Sequence, residues 1–394
     1  MLISLVTETY APDINGVATT LAQLHGALVA AGHQVEVICP RGRSPRENLR
    51  ALEVPGVPLP FYPEVRLGLP VRRRLRQRWQ SMRPDLVHIA TEGPLGFAAL
   101  REAERLGLPV TSSLHTNFHT YTRDYRVGWL SQPVMRYLRW FHNRTALTFI
   151  PTAQQSAELS ALDFARLVVL GRGVDTQLFS PTRRDESLRR QWQGSTAPDN
   201  PPIALHVGRL APEKNLDLLI ESFAALRREQ PTLTAVVVGD GPERNRLAKA
   251  LPWAHFVGMQ RGEALARHYA SADLFIFPSV SETFGNVVLE AMASGLPVVS
   301  FDYAAGNQLI RHGENGYLIP LQDQAAFIAT ACEAARSRSP AMGQRARDTA
   351  LQHDWGHITQ AFEHHLQRVA TAALIEINET YRPSAVSDGQ GGHP

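Results

Sequence analysis

Short apolar runs rich in β-branched residues alternate along the chain with longer stretches in which apolar positions recur every three or four residues. The first pattern predicts strands buried on both faces and the second predicts helices covering them, which together give parallel sheets of the α/β class. In the first half the strands fall at 2–6, 34–39, 86–89, 110–114, 147–150 and 167–170. Helices at 19–31 and 95–106 end at Gly32 and Gly107. In the second half the strands fall at 203–207, 234–238, 255–257, 274–277, 298–301 and 317–319. The polar stretch 180–202 reads as a linker with one short helix, and a last helix at about 355–378 precedes a tail, 379–394, expected to be disordered. The grammar predicts two Rossmann-like domains, residues 1–170 and 171–355, each with a ligand crevice at the carboxyl ends of its strands.

At 394 residues the chain exceeds one ordinary core. Its 44% hydrophobic and 20% charged residues suit a soluble globular protein, and no apolar run is long enough to span a bilayer. The start, MLISLVTETYAPD, lacks the basic region of a signal peptide. Cys39 and Cys332 are expected to be free thiols, and these features together predict a cytoplasmic protein. The net charge of +3 hides an asymmetry: residues 1–170 carry 19 Lys+Arg against 13 Asp+Glu, and the remainder 21 against 24. A basic first half predicts contact with an anionic surface. Lys214 and Lys249 are the only lysines.

Polar residues cluster just after the predicted strands. After strand 2–6, the segment TETYAPDINGV places Gly16 at a helix start, either as a tight turn or as a close backbone approach to phosphate. After strand 110–114 comes His115-Thr-Asn-Phe-His119; with no Glu after the first His and no nearby Cys, contact with a substrate hydroxyl fits better than zinc. After strand 203–207, GRLAPEK puts Arg209 and Lys214 beside a Pro-initiated helix start, where a guanidinium fork and a point charge can clamp a diphosphate; a solvated cation pair is the alternative. The turn Gly239-Asp-Gly-Pro-Glu-Arg is no dinucleotide fingerprint, because Arg244 stands at the third glycine's place. After strand 274–277, Glu282 lies in a loop and Glu290 one turn into the following helix, so the pair can reach different hydroxyls of one extended ligand.

Together these motifs resemble the retaining glycosyltransferases of family four, which have the GT-B fold. The resemblance spans roughly residues 2–378. It rests on E-x-Y-x-P-x-x-N-G-V, A-G-H-x-V-x-V at His33, H-T-N-F at His115, G-V-D at Gly173–Asp175, G-R-L-x-x-E-K, V-G-D-G-P, the E-x₇-E pair and H-G-x-N-G-Y-L-I-P. It is nearest to the branch of diacylglycerol glycosyltransferases and α-mannosyltransferases. The resemblance implies that Arg209, Lys214 and the Gly16 amide hold the donor diphosphate, and that Glu290 holds the ribose. It implies that Glu282, with the backbone of Thr283, Phe284 and Gly285, holds the hexose. His115 would lie near the reacting carbon, Val257, Gly258 and Met259 would border the base, and the C-terminal helix would return to the N-terminal domain. Gln308 stands where many members have a carboxylate, which puts one donor contact in doubt. No Asp-x-Asp triad occurs, so no metal or other cofactor is expected beside the UDP- or GDP-linked sugar.

Residues 66–83 hold seven arginines. Val71, Leu75, Trp79 and Met82 share a helical face opposite Arg72, Arg73, Arg74, Arg76 and Arg78. That arrangement is either a surface helix or a patch for anionic membrane. Phe118, Tyr121, Tyr125 and Trp129 could line the cleft of a lipid acceptor, diacylglycerol by expectation. A soluble sugar or polyol acceptor and a non-transferring epimerase are the alternatives. A nucleic-acid module would explain the basic half but predicts binding with a steep salt dependence, which transfer to a neutral lipid does not require; no nucleic-acid partner is expected.

Overall fold

The computed structural model describes residues 1–13, 15–42, 50–59, 62–115, 131–194 and 201–380. Two parallel sheets organise it. The first contains β1 (Leu2–Val6), β2 (Gln34–Pro40), β3 (Ala51–Val54), β6 (Leu86–Ile89), β7 (Val110–Ser113), β8 (Leu147–Ile150) and β9 (Leu167–Val169), in the order β3-β2-β1-β6-β7-β8-β9. The second contains β10 (Ile203–Val207), β11 (Thr234–Val238), β12 (His255–Gly258), β13 (Leu274–Phe277), β14 (Val298–Phe301) and β15 (Tyr317–Ile319), in the order β12-β11-β10-β13-β14-β15. The central strands are apolar on both faces because helices cover both; Thr234 to Val238, for example, are all buried. Strand order reverses between β1 and β6 in one sheet and between β10 and β13 in the other, and such switch points open ligand crevices.

The segment after β9 carries the chain across: Leu170 packs in the core of the first sheet and Val174 in that of the second. Val174 then bridges Asp354, where the chain turns back. From there the helix Trp355–Thr380 lays Phe362 and Leu366 against β1, β2 and the helix Gly16–Ala30.

Three features differ from the sequence expectation. The stretch 180–202 is no free linker in its described part. The helix Glu186–Gln193 packs Trp192 into the second core, and buried Arg189 makes a forked pair with Asp273, Nη1 to Oδ1 at 3.0 Å and Nη2 to Oδ2 at 3.1 Å. Second, a hairpin of β4 (Gly56–Leu59) and β5 (Tyr62–Gly68), together with β3, occupies a Pro-rich region that the pattern did not mark as strand. Third, the helix begins at Arg72, so Arg66 lies on β5 and donates to the Gly56 carbonyl.

Candidate functional site

The loops after β10 and β13 meet at the second sheet's switch point and are laced together. The Asn215 amide donates to the Pro278 carbonyl at 3.1 Å and the Ser281 hydroxyl to the Glu213 carbonyl at 2.7 Å. Glycine is required where these loops crowd the neighbouring turn. A Cβ on Gly239, at φ +135°, would lie 1.9 Å from the Gly208 carbonyl oxygen. Gly285, at φ +96°, turns the chain into the helix Asn286–Ala293.

This framework forms an open pocket whose walls include Arg209, Lys214, Ser279, Glu282 and Asn286. Lys214 Nζ donates to Glu282 Oε1 at 2.6 Å, and the Ser279 hydroxyl donates to the same oxygen at 2.8 Å. Arg209 stands half exposed at the rim, 3.9 Å from Glu213. Across the crevice, a Cβ on Gly16 would come 3.8 Å from Asn286 Nδ2, so the starts of two helices, one from each sheet, converge here. Helix starts present free N–H groups and positive potential, which suits a diphosphate.

Glu290 lies one turn into the helix. Burial pushes its carboxyl up to about 7, opposed by the Tyr269 hydroxyl, which donates to Oε2 at 2.9 Å. Val257, Gly258 and Met259 lie at the same sheet edge on the far side of the Gly239 turn, with Met259 exposed. Thr283 and Gly285 belong to the loop leading into the helix. Phe284 turns its ring into the core, and its carbonyl accepts from the Ala305 amide at 2.8 Å, so only its backbone can face a ligand.

The first sheet contributes buried, mostly uncharged groups. His115, at the end of β7, is buried, and its Nδ1 lies 2.6 Å from the Arg172 guanidinium. Burial, then the charge of Arg172, lowers its pKa well below the ordinary imidazole value. At the β1–β6 switch point, Glu8 accepts from the amides of Gly68 and Leu95, and burial raises Glu8 and Glu92 each to about 7. Phe118, Tyr121, Tyr125 and Trp129 lie outside the described residues.

The arginine helix is not a uniform patch. Glu102, fully buried, holds Arg72 at 2.7 Å and Arg76 at 2.8 Å, and buried Glu36 holds Arg78 at 2.6 Å. Arg73 and Arg74 remain exposed. Leu75 and Trp79 are buried, as the helical face predicts.

Four residues escaped the sequence reading: His206, Tyr269, Asn286 and Arg172. His206 gave one signal, a polar side chain in the otherwise apolar run IALHV. Its Nδ1 sits 3.0 Å from the Ile276 carbonyl, which can only accept, so Nδ1 carries the proton and Nε2 offers a lone pair. That Nε2 is buried beside Gly208 at the pocket wall and has no partner among the described residues. Burial lowers His206 to about 4, keeping it neutral. Gln308 is exposed, with its amide beside Gly171 at the crossover. Among the described residues no group of three or more metal-ligating side chains occurs, and no helix is long and apolar enough to cross a membrane.

Comparison with known proteins agrees with this geometry. The model "Glycosyltransferase Family 4" matches residues 14–178 and "Glycosyl transferases group 1" matches 201–337. A GDP-mannose-dependent alpha-mannosyltransferase of Mycolicibacterium smegmatis is 34% identical, with 94% of this chain and 98% of that protein aligned. An alpha-monoglucosyldiacylglycerol synthase of Streptococcus pneumoniae is 29% identical, over 79% of this chain and 73% of that one. The crystal structure of Anabaena Alr3699/HepE with UDP and glucose shares the fold at TM-score 0.70 and 21% identity, covering 93% of this chain and 99% of the other. The chain belongs to glycosyltransferase family four and is a nucleotide-sugar glycosyltransferase of the GT-B fold.

Proposed function

We propose that the protein moves a hexose, mannose from GDP-mannose in the first instance, onto a hydroxyl of a diacylglycerol-type lipid. In this reading the anomeric configuration is retained and no divalent metal takes part. The observation that carries the reading is the pocket at the β10–β13 switch point, where Arg209 and Lys214 stand beside two helix starts. Charge developing on the leaving diphosphate would be stabilised by these fixed cations and dipoles, the role a metal ion plays elsewhere. Glu282 is held by Lys214 and Ser279, which suits a carboxylate that orients sugar hydroxyls better than a nucleophile; front-face displacement by the acceptor hydroxyl needs no protein nucleophile. Glu290 would take the ribose hydroxyls, and the pocket's identity as donor site rests on all of these residues together.

Mannose as the sugar rests on the GDP-mannose-dependent relatives, and the lipid on the diacylglycerol synthases. One observation favours a soluble sugar or polyol acceptor instead: Arg72, Arg76 and Arg78 are committed to buried glutamates, so only part of the arginine helix can meet a membrane. The test is mass spectrometry of products after incubation with GDP-mannose, UDP-glucose and a lipid extract or soluble polyols. The reading predicts a hexosyl-lipid formed from GDP-mannose in the presence of EDTA. Products confined to soluble acceptors would replace the lipid, and activity restored only by Mg²⁺ or Mn²⁺ would overturn the metal-free chemistry.

A further inference from the structure

The interdomain crossover does more than connect. Its three residues Gly171, Arg172 and Gly173 are clamped on both sides. A Cβ on Gly171 would lie 3.5 Å from Gln308 Nε2, and one on Gly173 would overlap the Trp355 ring at 2.4 Å. Between these two contacts Arg172 turns inward and is buried, with its guanidinium 2.6 Å from His115 Nδ1. His115 is held just as firmly. It follows β7, whose Ser112 and Ser113 hydroxyls bond to buried His142 at 2.9 Å and His88 at 3.1 Å.

A guanidinium has only donors and keeps its proton in proteins. Burial lowers Arg172 to about 10, which still leaves it a cation at neutral pH. The nitrogen it meets must therefore be a bare acceptor, and the single proton of the neutral ring must sit on Nε2. That Nε2 is buried, at the carboxyl edge of the first sheet, and has no partner among the described residues. A buried N–H without an acceptor costs free energy until something supplies one.

We propose that Arg172 is a positioning residue that occupies Nδ1 of His115 and fixes the ring as the Nε2–H tautomer, so that His115 donates a hydrogen bond to an oxygen of a bound sugar and cannot act as a proton acceptor. The sugar, though not the tautomer, rests on the transferase reading above. His115 is thereby excluded as the base for an incoming hydroxyl, whose proton must leave to another acceptor in the site. The link also ties the histidine to the segment joining the two sheets, so the orientation of the donor depends on the crossover staying in place. The sequence could not show this, because the partners are 57 positions apart and neither residue type announces the other.

The test is long-range ¹H–¹⁵N correlation on the full chain labelled at histidine, with His115 assigned by His115→Gln. The wild type is expected to show protonated Nε2 and bare Nδ1. Arg172→Met is expected to introduce the Nδ1–H form, and Arg172→Lys, which can still donate, to retain the wild-type form. In steady-state assays Arg172→Met should lower kcat by about two orders of magnitude, the scale of losing one oriented donor, with donor KM within threefold and partial rescue by Arg172→Lys. A wild-type ring protonated at Nδ1, or a tautomer unchanged in folded Arg172→Met, overturns the proposal. Because the spectrum needs no turnover, absence of glycosyl transfer would count against the function and not against the tautomer. Should Arg172→Met not fold, the wild-type spectrum and Arg172→Lys still decide it.

Discussion

At the carboxyl edge of the second sheet, beside neutral His206 and the raised carboxyl of Glu290, stand ions paired with one another, Lys214 with Glu282 at 2.6 Å and Arg209 near Glu213. At the corresponding edge of the first sheet stand a neutral imidazole and carboxyls whose burial raises their pKa. The formal charges point the other way: the N-terminal 170 residues carry the cationic excess, 19 basic against 13 acidic side chains. Among the described residues part of the excess is exposed, as at Arg73 and Arg74, and part neutralises buried acids, as Arg72 and Arg76 do for Glu102. Net charge by region therefore does not locate an anion site. What matters is where a few cations stand relative to strand ends and helix starts. In the proposed reaction the C-terminal crevice takes the diphosphate and the N-terminal one the hydroxyl-bearing acceptor.

The comparison is broken most sharply at the donor clamp. Arg209→Ala or Lys214→Ala should lower kcat/KM by at least about a hundredfold, the scale of losing one charge-stabilising group. Steady-state kinetics within threefold of wild type in either variant would remove these residues from the donor site. On the other side, replacing Arg72 and Arg76 together by Ser should lower the midpoint of denaturant titrations, since Glu102 loses both partners, while the partial exposure of the arginines keeps the loss below that of a fully buried pair. Unchanged stability would mean that Glu102 is satisfied otherwise.

Two smaller effects sharpen the picture. Glu290 is raised above the ordinary carboxylate value, so it loses its charge as pH falls through about 7. The ionised form accepts ribose hydroxyls better, so nucleotide affinity should be full above that pH and about tenfold weaker one unit below it. Calorimetric titrations across this range should show the slope in wild type and a flat profile in Glu290→Gln. At the surface, Arg73→Ser with Arg74→Ser should weaken sedimentation with anionic vesicles by roughly thirtyfold, given about 1 kcal/mol for each exposed arginine near such a surface. Sedimentation unchanged from wild type would make this helix a solvated face.

Much of this was legible because strand and site share one sequence signal. An apolar run such as IALHV or LFIF ends where its loop begins, and the pocket residues Arg209, Lys214 and Glu282 follow within a few residues. What stayed hidden depends on distant partners. Arg189 looked like a linker charge until Asp273, 84 positions away, paired with it. The sequence read Arg72 and Arg76 as either a surface helix or a membrane patch, and only the fold places Glu102 beneath them. The β4–β5 hairpin carries Pro58 and Pro63, which local propensity reads as loop although an edge ribbon tolerates them. His206 and His115 act through ring nitrogens whose protonation is set by the Ile276 carbonyl and the Arg172 guanidinium, both distant in sequence.

The central claim, that donor affinity resides in the C-terminal crevice, is tested most directly by isothermal titration of GDP and UDP into wild type, Lys214→Ala and Arg73→Ser/Arg74→Ser. The account predicts binding weakened by at least about thirtyfold in Lys214→Ala, as expected for a charge-assisted contact of about 2 kcal/mol, and unchanged in the arginine variant. Equal affinity in wild type and Lys214→Ala, or a loss confined to the arginine variant, would contradict it.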